Sequence, residues 1–253
     1  MRITVITPTF NSERTIGRCI KSVQSQTYPC EHIIIDALSS DATSSIIAKY
    51  NRNGDKLISE SDAGIYDAIN KGIKYASGDI IAVLNSDDYY LNNDVLKLVA
   101  DGFKDDTELL YAGTRYFTNV SQSYVDYLPS EFSGYGSFVS GWHPPHPSFF
   151  VLKRCYVTGG GYDTNLKVAA DFDLMLRFFE TLKFRAKRMD KVLVGMSPGG
   201  FSSKLSSIFK GMLEIRRSFL KNSQSVSVYY FLNRYMRKFI QRKLSFLSKF
   251  HES

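Results

Sequence analysis

Two adjacent carboxylates, Asp87 and Asp88, close the apolar run "GDIIAVLNSDDYYL" that begins at Gly78. Like charges placed together at a strand end cost free energy unless water, a helix N-terminus or a cation answers them. Neighbouring side chains of a straight strand point to opposite faces, so the pair can serve one ligand only from a turn. From such a turn one carboxylate can face a cation while the other accepts a hydrogen bond from a ligand hydroxyl. Oxygen-only ligands select a hard ion, Mg²⁺ or Mn²⁺, usually completed by phosphates and water. The competing role is to start a helix at Leu91, but Asn92, Asn93 and Asp94 already offer that cap.

Other polar residues end other apolar runs. "ITVIT" from Ile3 leads to Thr9, "HIIID" closes on Asp36, and "KLISE" from Lys56 leads to Asp62. In open α/β sheets ligands bind outside the carboxyl ends of the strands, so these groups would converge with Asp87 and Asp88 on one crevice. Neither GxGxxG nor GxxxxGK[ST] occurs, which argues against a dinucleotide fold and a P-loop. A phosphorylated ligand would then be neutralised mainly by the cation. Asp36 is either a turn residue or an acceptor for an N–H of a base such as uracil. Later in the chain, "ADFDL" carries Asp171 and Asp173. On one helix they lie about 200° apart, so only one can face a pocket. His143 and His146 flank Pro-Pro beside Trp142 in "WHPPHPSFF"; His146 and Trp142 are candidate contacts to an acceptor or its phosphate.

Positioning these groups requires regular elements. Five short Ile/Val/Leu-rich runs, the last being "LLYAG" from Leu109, read as strands buried on both faces. Amphipathic stretches at 12–26, 41–50, 64–76 and 91–103 read as helices, the first capped by Asn11 or Ser12 and the second by Ser40 or Asp41. This alternation predicts a doubly wound α/β sheet with helices on both faces. Residues 116–147 are aromatic-rich and aperiodic, and read as loops and irregular strands. "PSFFVLKR" then reads as a strand, "GGGYD" as a turn, and "ADFDLMLRFFE" as a helix start.

A chain of 253 residues, 43% hydrophobic, can bury one large α/β domain, with or without an appendage. Three scattered cysteines without a CxxC pair give no disulfide framework or zinc site, and point to a reducing compartment. The apolar run at the amino terminus is broken at Pro8, unlike a signal peptide, and no run is long enough to span a bilayer. From Lys204 onward there are 11 Lys/Arg against two Glu; the preceding 203 residues carry 21 basic and 23 acidic side chains. Within that basic segment Leu232, Tyr235, Met236, Phe239, Ile240, Phe246, Leu247 and Phe250 share one side of a helical projection. Arg234, Arg237, Lys238, Arg242 and Lys249 share the other. Such a pattern reads as an element lying on an anionic membrane surface or as a helix packed on the domain. No nucleic-acid motif accompanies the charge.

"VITPTFNSERTIGRCIKSVQSQTYP", "IIIDALSSDAT", "ISESDAGIYDAINKGIKYASGDIIAVLNSDDYY" and "ADFDLMLR" together resemble the inverting nucleotide-sugar glycosyltransferases of family 2, over residues 1–203. The resemblance implies the GT-A fold, a single Rossmann-like, mostly parallel sheet. Residues 1–113 would be a nucleotide-sugar half, 114–203 an acceptor half and 204–253 a basic helical tail. It also implies roles: Thr9, Asp36, Asp62, Asn70 and Asp87 as nucleotide-sugar contacts, Asp88 as ligand to Mn²⁺ or Mg²⁺, and Asp171 as catalytic base. Four features depart from the family pattern. Ala170 stands where a Glu commonly precedes the base, and Ile69 where Arg often precedes Asn70. "GMSPGGFSSK" lacks a late His ligand, and QxxRW is missing, which favours single additions over processive synthesis.

The implied activity is a hexosyl transfer from UDP-glucose or UDP-galactose to a polyprenyl-diphosphate-linked saccharide. It would belong to bacterial O-antigen, capsule or exopolysaccharide synthesis, at the inner face of the cytoplasmic membrane. A GDP-sugar such as GDP-fucose is the alternative donor. A non-catalytic nucleotide- or lipid-binding module is a second reading, distinguished by the absence of Mn²⁺-dependent nucleoside diphosphate release. A nucleotidyltransferase would instead need a Gly-rich, basic entry loop after the first strand, which is not evident.

Overall fold

The computed structural model describes residues 1–50, 54–104, 106–117, 123–197, 205–226 and 230–231. Strands β1 (Ile3–Thr9), β2 (Cys30–Asp36), β3 (Lys56–Ser59) and β4 (Ile80–Val83) form the parallel half of the sheet, in the order β3-β2-β1-β4. Every residue of β1 and β4 is buried, which is why both read as unbroken apolar runs rather than alternations. Between them lie α1 (Ile16–Gln24), α2 (Thr43–Tyr50) and α3 (Ile65–Tyr75). Ile34 joins Ile16, Ile20 and Ile47 under α1 and α2, while Ile33 and Ile35 join the larger cluster containing Ala68 and Ile69 of α3. Alternate residues of β2 therefore serve opposite layers, as a doubly wound sheet demands. Helix α3 approaches β1 so closely that a Cβ on Gly72 would overlap Ile6.

The helices start later than the sequence pattern predicts, because turns absorb their first residues. Thr15 precedes α1 without a side-chain cap, while Asn11 and Ser12 instead bind the next loop through Ser40 and Thr43. Asp41 does cap α2, accepting the Thr43 N–H at 3.0 Å. Helix α4 (Val95–Gly102) follows strand β5 (Tyr89–Tyr90), so Asp87 and Asp88 do not begin a helix.

The second half of the sheet is mixed. Strands β6 (Leu109–Phe117), β7 (Tyr124–Tyr127), β8 (Phe149–Leu152), β9 (Ala186–Met196) and β5 continue it in the order β4-β8-β6-β9-β5, with β7 on β6. Strand β8 runs antiparallel to β4 and β6, and β9 parallel to β6 through a bulge beyond Tyr111. Only residues 84–88 link β4 to β5, although three strands separate them in the sheet. At about 4.8 Å per strand this is a gap of roughly 19 Å, close to the limit of that link fully extended. The link contains a turn, so the sheet must curl, and the Asp87–Asp88 turn bridges its two halves.

Helices α5 (Lys153–Gly159) and α6 (Ala170–Leu176) follow; α6 runs on as a π-turn over Arg177–Thr181. Helix α7 (Leu205–Lys221) packs on α6 with Ile215 and Phe219 inside the main core, Phe219 edge-on to Phe172 at 5.4 Å. Residues 205–226 thus share the core of the domain instead of standing apart as a tail. The amphipathic pattern at 232–250 lies outside the described residues. No helix among the described residues is long and apolar enough to cross a membrane.

Candidate active site

The turn after β4 holds the carboxylate pair. Asp88 is buried; its Oδ2 accepts from Asn85 Nδ2 at 3.1 Å, while its Oδ1 is buried without a hydrogen-bond partner. Burial and then the neighbouring Asp87 push its carboxyl well above the usual range, partly offset by the Asn85 bond and by Arg18. Asp87 is raised too, by burial, with Arg18 pulling the other way. A buried carboxylate oxygen with no donor is costly in a low-dielectric site. A cation is the group that would satisfy it. Among the described residues no cluster of three His, Cys, Asp or Glu side chains surrounds it. The donor set therefore fits a hard ion held by Asp88 and completed by ligand oxygens and water.

Arg18 fixes this turn. From α1 its guanidinium donates to the Asp87 carbonyl at 3.1 Å and to Ser197 Oγ, and it stacks over Tyr89 at 4.1 Å. Ser197 Oγ also donates to the Asp87 carbonyl at 2.7 Å, which ties the end of β9 to the turn. Asp87 lines a cleft of about 360 Å³ with Asn11, Ser12, Glu13, Arg14, Thr15, Asp41 and Ser86.

Thr9 and Asp36 are register partners at the ends of β1 and β2. Thr9 Oγ1, like Asn85 Oδ1 beside Asp88, is a further buried polar atom without a partner. Asp36 is fully buried and its carboxylate is saturated, accepting from Ser39 N (3.2 Å), Ser39 Oγ (2.5 Å), Ser44 Oγ (3.2 Å) and Ser59 Oγ (3.0 Å). It clamps the loop after β2, and a base N–H would have to displace a rotatable hydroxyl. Asp62 accepts the Gly64 N–H at 2.8 Å and shapes the entry to α3, where Gly64 takes φ 124°.

A second group of residues surrounds Asp171, in the first turn of α6. Asp171 Oδ1 accepts from Phe172 N at 2.8 Å and lies 3.3 Å from the Tyr66 hydroxyl, which also lies 3.0 Å from the Val168 carbonyl. Burial, then Asp171, raises the Tyr66 phenol well above its usual pKa, so it stays a proton donor. Tyr66 stacks on Tyr162 with centroids 5.6 Å apart, and Tyr162 meets His146 Nε2 through its hydroxyl at 2.8 Å. Burial lowers the His146 pKa against the opposing pull of Asp171, so the ring is neutral at pH 7. Asp173 points elsewhere. It is fully buried and faces Arg177 and Lys221 of α7, each 4.0 Å away, as the 200° separation requires.

Two sequence candidates have other partners. Asn70 uses both ends of its amide on the backbone of Tyr162, donating to its carbonyl at 2.8 Å and accepting its N–H at 2.9 Å. It bolts α3 to the loop before Asp171 rather than facing the carboxylate turn. Trp142 packs among Tyr111, Phe132, Phe138 and Phe179, and its indole N–H donates to the Ser130 carbonyl at 3.0 Å. That is a core role, and its polar handle is already used. Arg18, Tyr66, Tyr162 and Ser197 were missed, because their contacts join segments far apart in the chain, whereas Asn85 makes a local bond that its type did not announce.

The family model described as glycosyl transferase family 2 matches residues 4–155. The chain belongs to that family. An uncharacterized glycosyltransferase of Mycobacterium tuberculosis is 32% identical over 181 residues, 69% of this chain and 68% of the relative. The Escherichia coli UDP-Glc:alpha-D-GlcNAc-diphosphoundecaprenol beta-1,3-glucosyltransferase WfgD is 33% identical over 121 residues, 47% of this chain and 48% of its own. Among solved structures, S. aureus TarS 1-349 in complex with UDP aligns with TM-score 0.65 at 21% identity, over 87% of this chain and 66% of that one. The protein is thus a glycosyltransferase with the GT-A-like α/β architecture, and the turn after β4 lies inside the matched segment.

Proposed function

We propose that this transferase moves one hexose, with inversion, from a UDP-sugar to a polyprenyl-diphosphate-linked saccharide in bacterial surface polysaccharide synthesis. The observation that carries the reading is the buried, partnerless Oδ1 of Asp88 in a turn bridging the two halves of the sheet. Asp88 would hold Mn²⁺ or Mg²⁺, with Asp87 and Thr9 toward the ribose and diphosphate, and Asp36 and Asp62 toward the base. Bound there, the cation supplies Lewis-acid stabilisation of the leaving diphosphate.

The chain's own residues do the rest. Both described hydrogen bonds of Asp171 fall on Oδ1, so Oδ2 is left for the acceptor hydroxyl proton. An acceptor hydroxyl is a poor nucleophile at neutral pH and needs such a base within hydrogen-bond reach. Tyr66 orients that carboxylate, and neutral His146 borders the acceptor side. One displacement by a hydroxyl on the face opposite the leaving group inverts the anomeric carbon. The named activity of WfgD supports a UDP-glucose donor and a lipid-diphosphate acceptor. The basic segment from Lys204 supports work at an anionic membrane surface, on the cytoplasmic side.

The test is a panel of UDP- and GDP-sugars with Mn²⁺ and a synthetic GlcNAc-diphospho-lipid. UDP-glucose or UDP-galactose should release UDP and give a product of inverted configuration by NMR. Turnover of GDP-sugars alone would replace the donor assignment. Asp171→Asn should lower transfer by roughly 10³-fold or more while UDP binding persists; retained turnover rejects the base.

A further inference from the structure

Helix α6 has no cap of its own. The residue before it is Ala169, with no side-chain cap, in the sequence "VAADFDL". The three N–H groups that precede it are instead met by α7. Glu214, in the middle of α7 and only 2% exposed, accepts from Lys167 N at 2.9 Å, Val168 N at 2.8 Å and Ala169 N at 2.9 Å. One buried carboxylate thus collects three consecutive backbone donors immediately before α6. The same segment is held on its other side by the Tyr66 hydroxyl on Val168 O and by Lys167 Nζ on the Ala63 carbonyl at 2.9 Å.

We infer that Glu214 is a positioning residue for the transfer reaction, an outside cap that sets the place of Asp171 by anchoring the three residues before its helix. The inference rests on the assignment of Asp171 as base. A carboxylate is suited to the task because it can accept all three N–H groups at once, whereas an amide turns one acceptor into a donor. Glutamine at 214 therefore leaves at least one N–H facing another N–H, and the segment must shift. Displacements of the order of 1 Å at a reacting group cost roughly 10²-fold in rate. Donor affinity is expected to stay, because the carboxylate turn is on separate elements.

The experiment compares wild type, Glu214→Gln, Glu214→Asp, Asp171→Asn and the Asp171→Asn/Glu214→Gln double variant, all as full chains. UDP release from UDP-glucose with Mn²⁺ and GlcNAc-diphospho-lipid gives kcat, and titration with UDP gives donor-site affinity. Glu214→Gln should lower kcat roughly 10- to 100-fold, with UDP affinity within about twofold. Glu214→Asp, which keeps the charge with a shorter reach, should recover part of the loss. Adding Glu214→Gln to Asp171→Asn should cost nothing further, since the residue acts through Asp171. Wild-type kcat in Glu214→Gln beside an inactive Asp171→Asn overturns the inference and spares the base. Equal losses of kcat and UDP affinity, or an undiminished effect in the double variant, reduce Glu214 to a fold-stabilising role and overturn it too. If Glu214→Gln does not fold, Glu214→Asp is judged by the same criteria. Full activity of Asp171→Asn rejects the base, and the inference with it.

Discussion

At the scale of single residues, Asp88 shows how a site can be built at the expense of the ligand-free fold. Its Oδ1 has no partner and its carboxyl is held well above the usual range by burial and Asp87. Asp88→Asn removes a carboxyl whose ionisation burial and Asp87 oppose, so the ligand-free protein should melt at a higher temperature near neutral pH. Each kcal/mol gained would appear as roughly 2–4 °C. The same variant should lose the added stability that Mn²⁺ plus UDP confers on the wild type, read by thermal melting with and without the ligands. A lower melting temperature, or stabilisation by Mn²⁺ and UDP as large as in the wild type, would remove Asp88 from the cation site. Asp36 is the contrast: equally buried, but with four donors already on its carboxyl oxygens.

At the scale of elements, β2 carries a titratable group whose sign can be worked out. His32 is buried between the layers, its Nε2 3.0 Å from Thr7 Oγ1, and burial lowers its pKa to about 4 against the pull of Asp55. The unfolded chain titrates near 6.5, so it binds the proton first. Stability from this group is complete above about pH 6.5 and is lost as pH falls toward 4, by an amount on the order of 3 kcal/mol. Glu31 on the same strand has the same sign but a different cause and a lower pH window. Burial raises it, but bonds from Lys56, Ser77 and Thr4 outweigh this and bring it to about 2, so its contribution fades only below about pH 4.5. Urea titrations at about pH 7 and pH 4.5 should therefore show a steep loss in the wild type and a much flatter one in His32→Gln. An unchanged slope would contradict the burial argument. The strands that could be read from the sequence were apolar runs: β1, β4 and β8 are buried throughout, and β2 and β6 over most of their length, whereas β3, read as buried on both faces, is an edge strand with Lys56, Leu57 and Ser59 exposed. Strand β9 was not readable, since "AKRMDKVLVGM" exposes its charged first half and buries only its last part. Strand β5 has two residues, too few to carry a period.

At the scale of the whole molecule, the site is assembled from both ends of the chain. The carboxylates Asp87, Asp88 and Asp171 stood out in the sequence because their types announce chemistry. What holds them did not, because Arg18 reaches Ser197 across 179 positions and Glu214 reaches Ala169 across 45. A lone Glu in an amphipathic helix looks like a solvated position until the fold buries it. The outer face of α7 exposes Phe209, Leu213 and Leu220 beside Lys210, Arg216 and Arg217. The full chain should therefore float with phosphatidylglycerol vesicles near 0.1 M salt and be largely released near 1 M, where the screening length falls from about 10 Å to 3 Å. Flotation that ignores salt, or equal binding to neutral vesicles, would exclude an electrostatic contact. The position of Glu214 also has a bearing on biosynthesis. A ribosome delivers Asp88 first and Asp171 next, but Ser197 and Glu214, which hold the turn and the segment before α6, emerge only afterwards. The nascent polypeptide thus carries both carboxylates well before either is fixed in place.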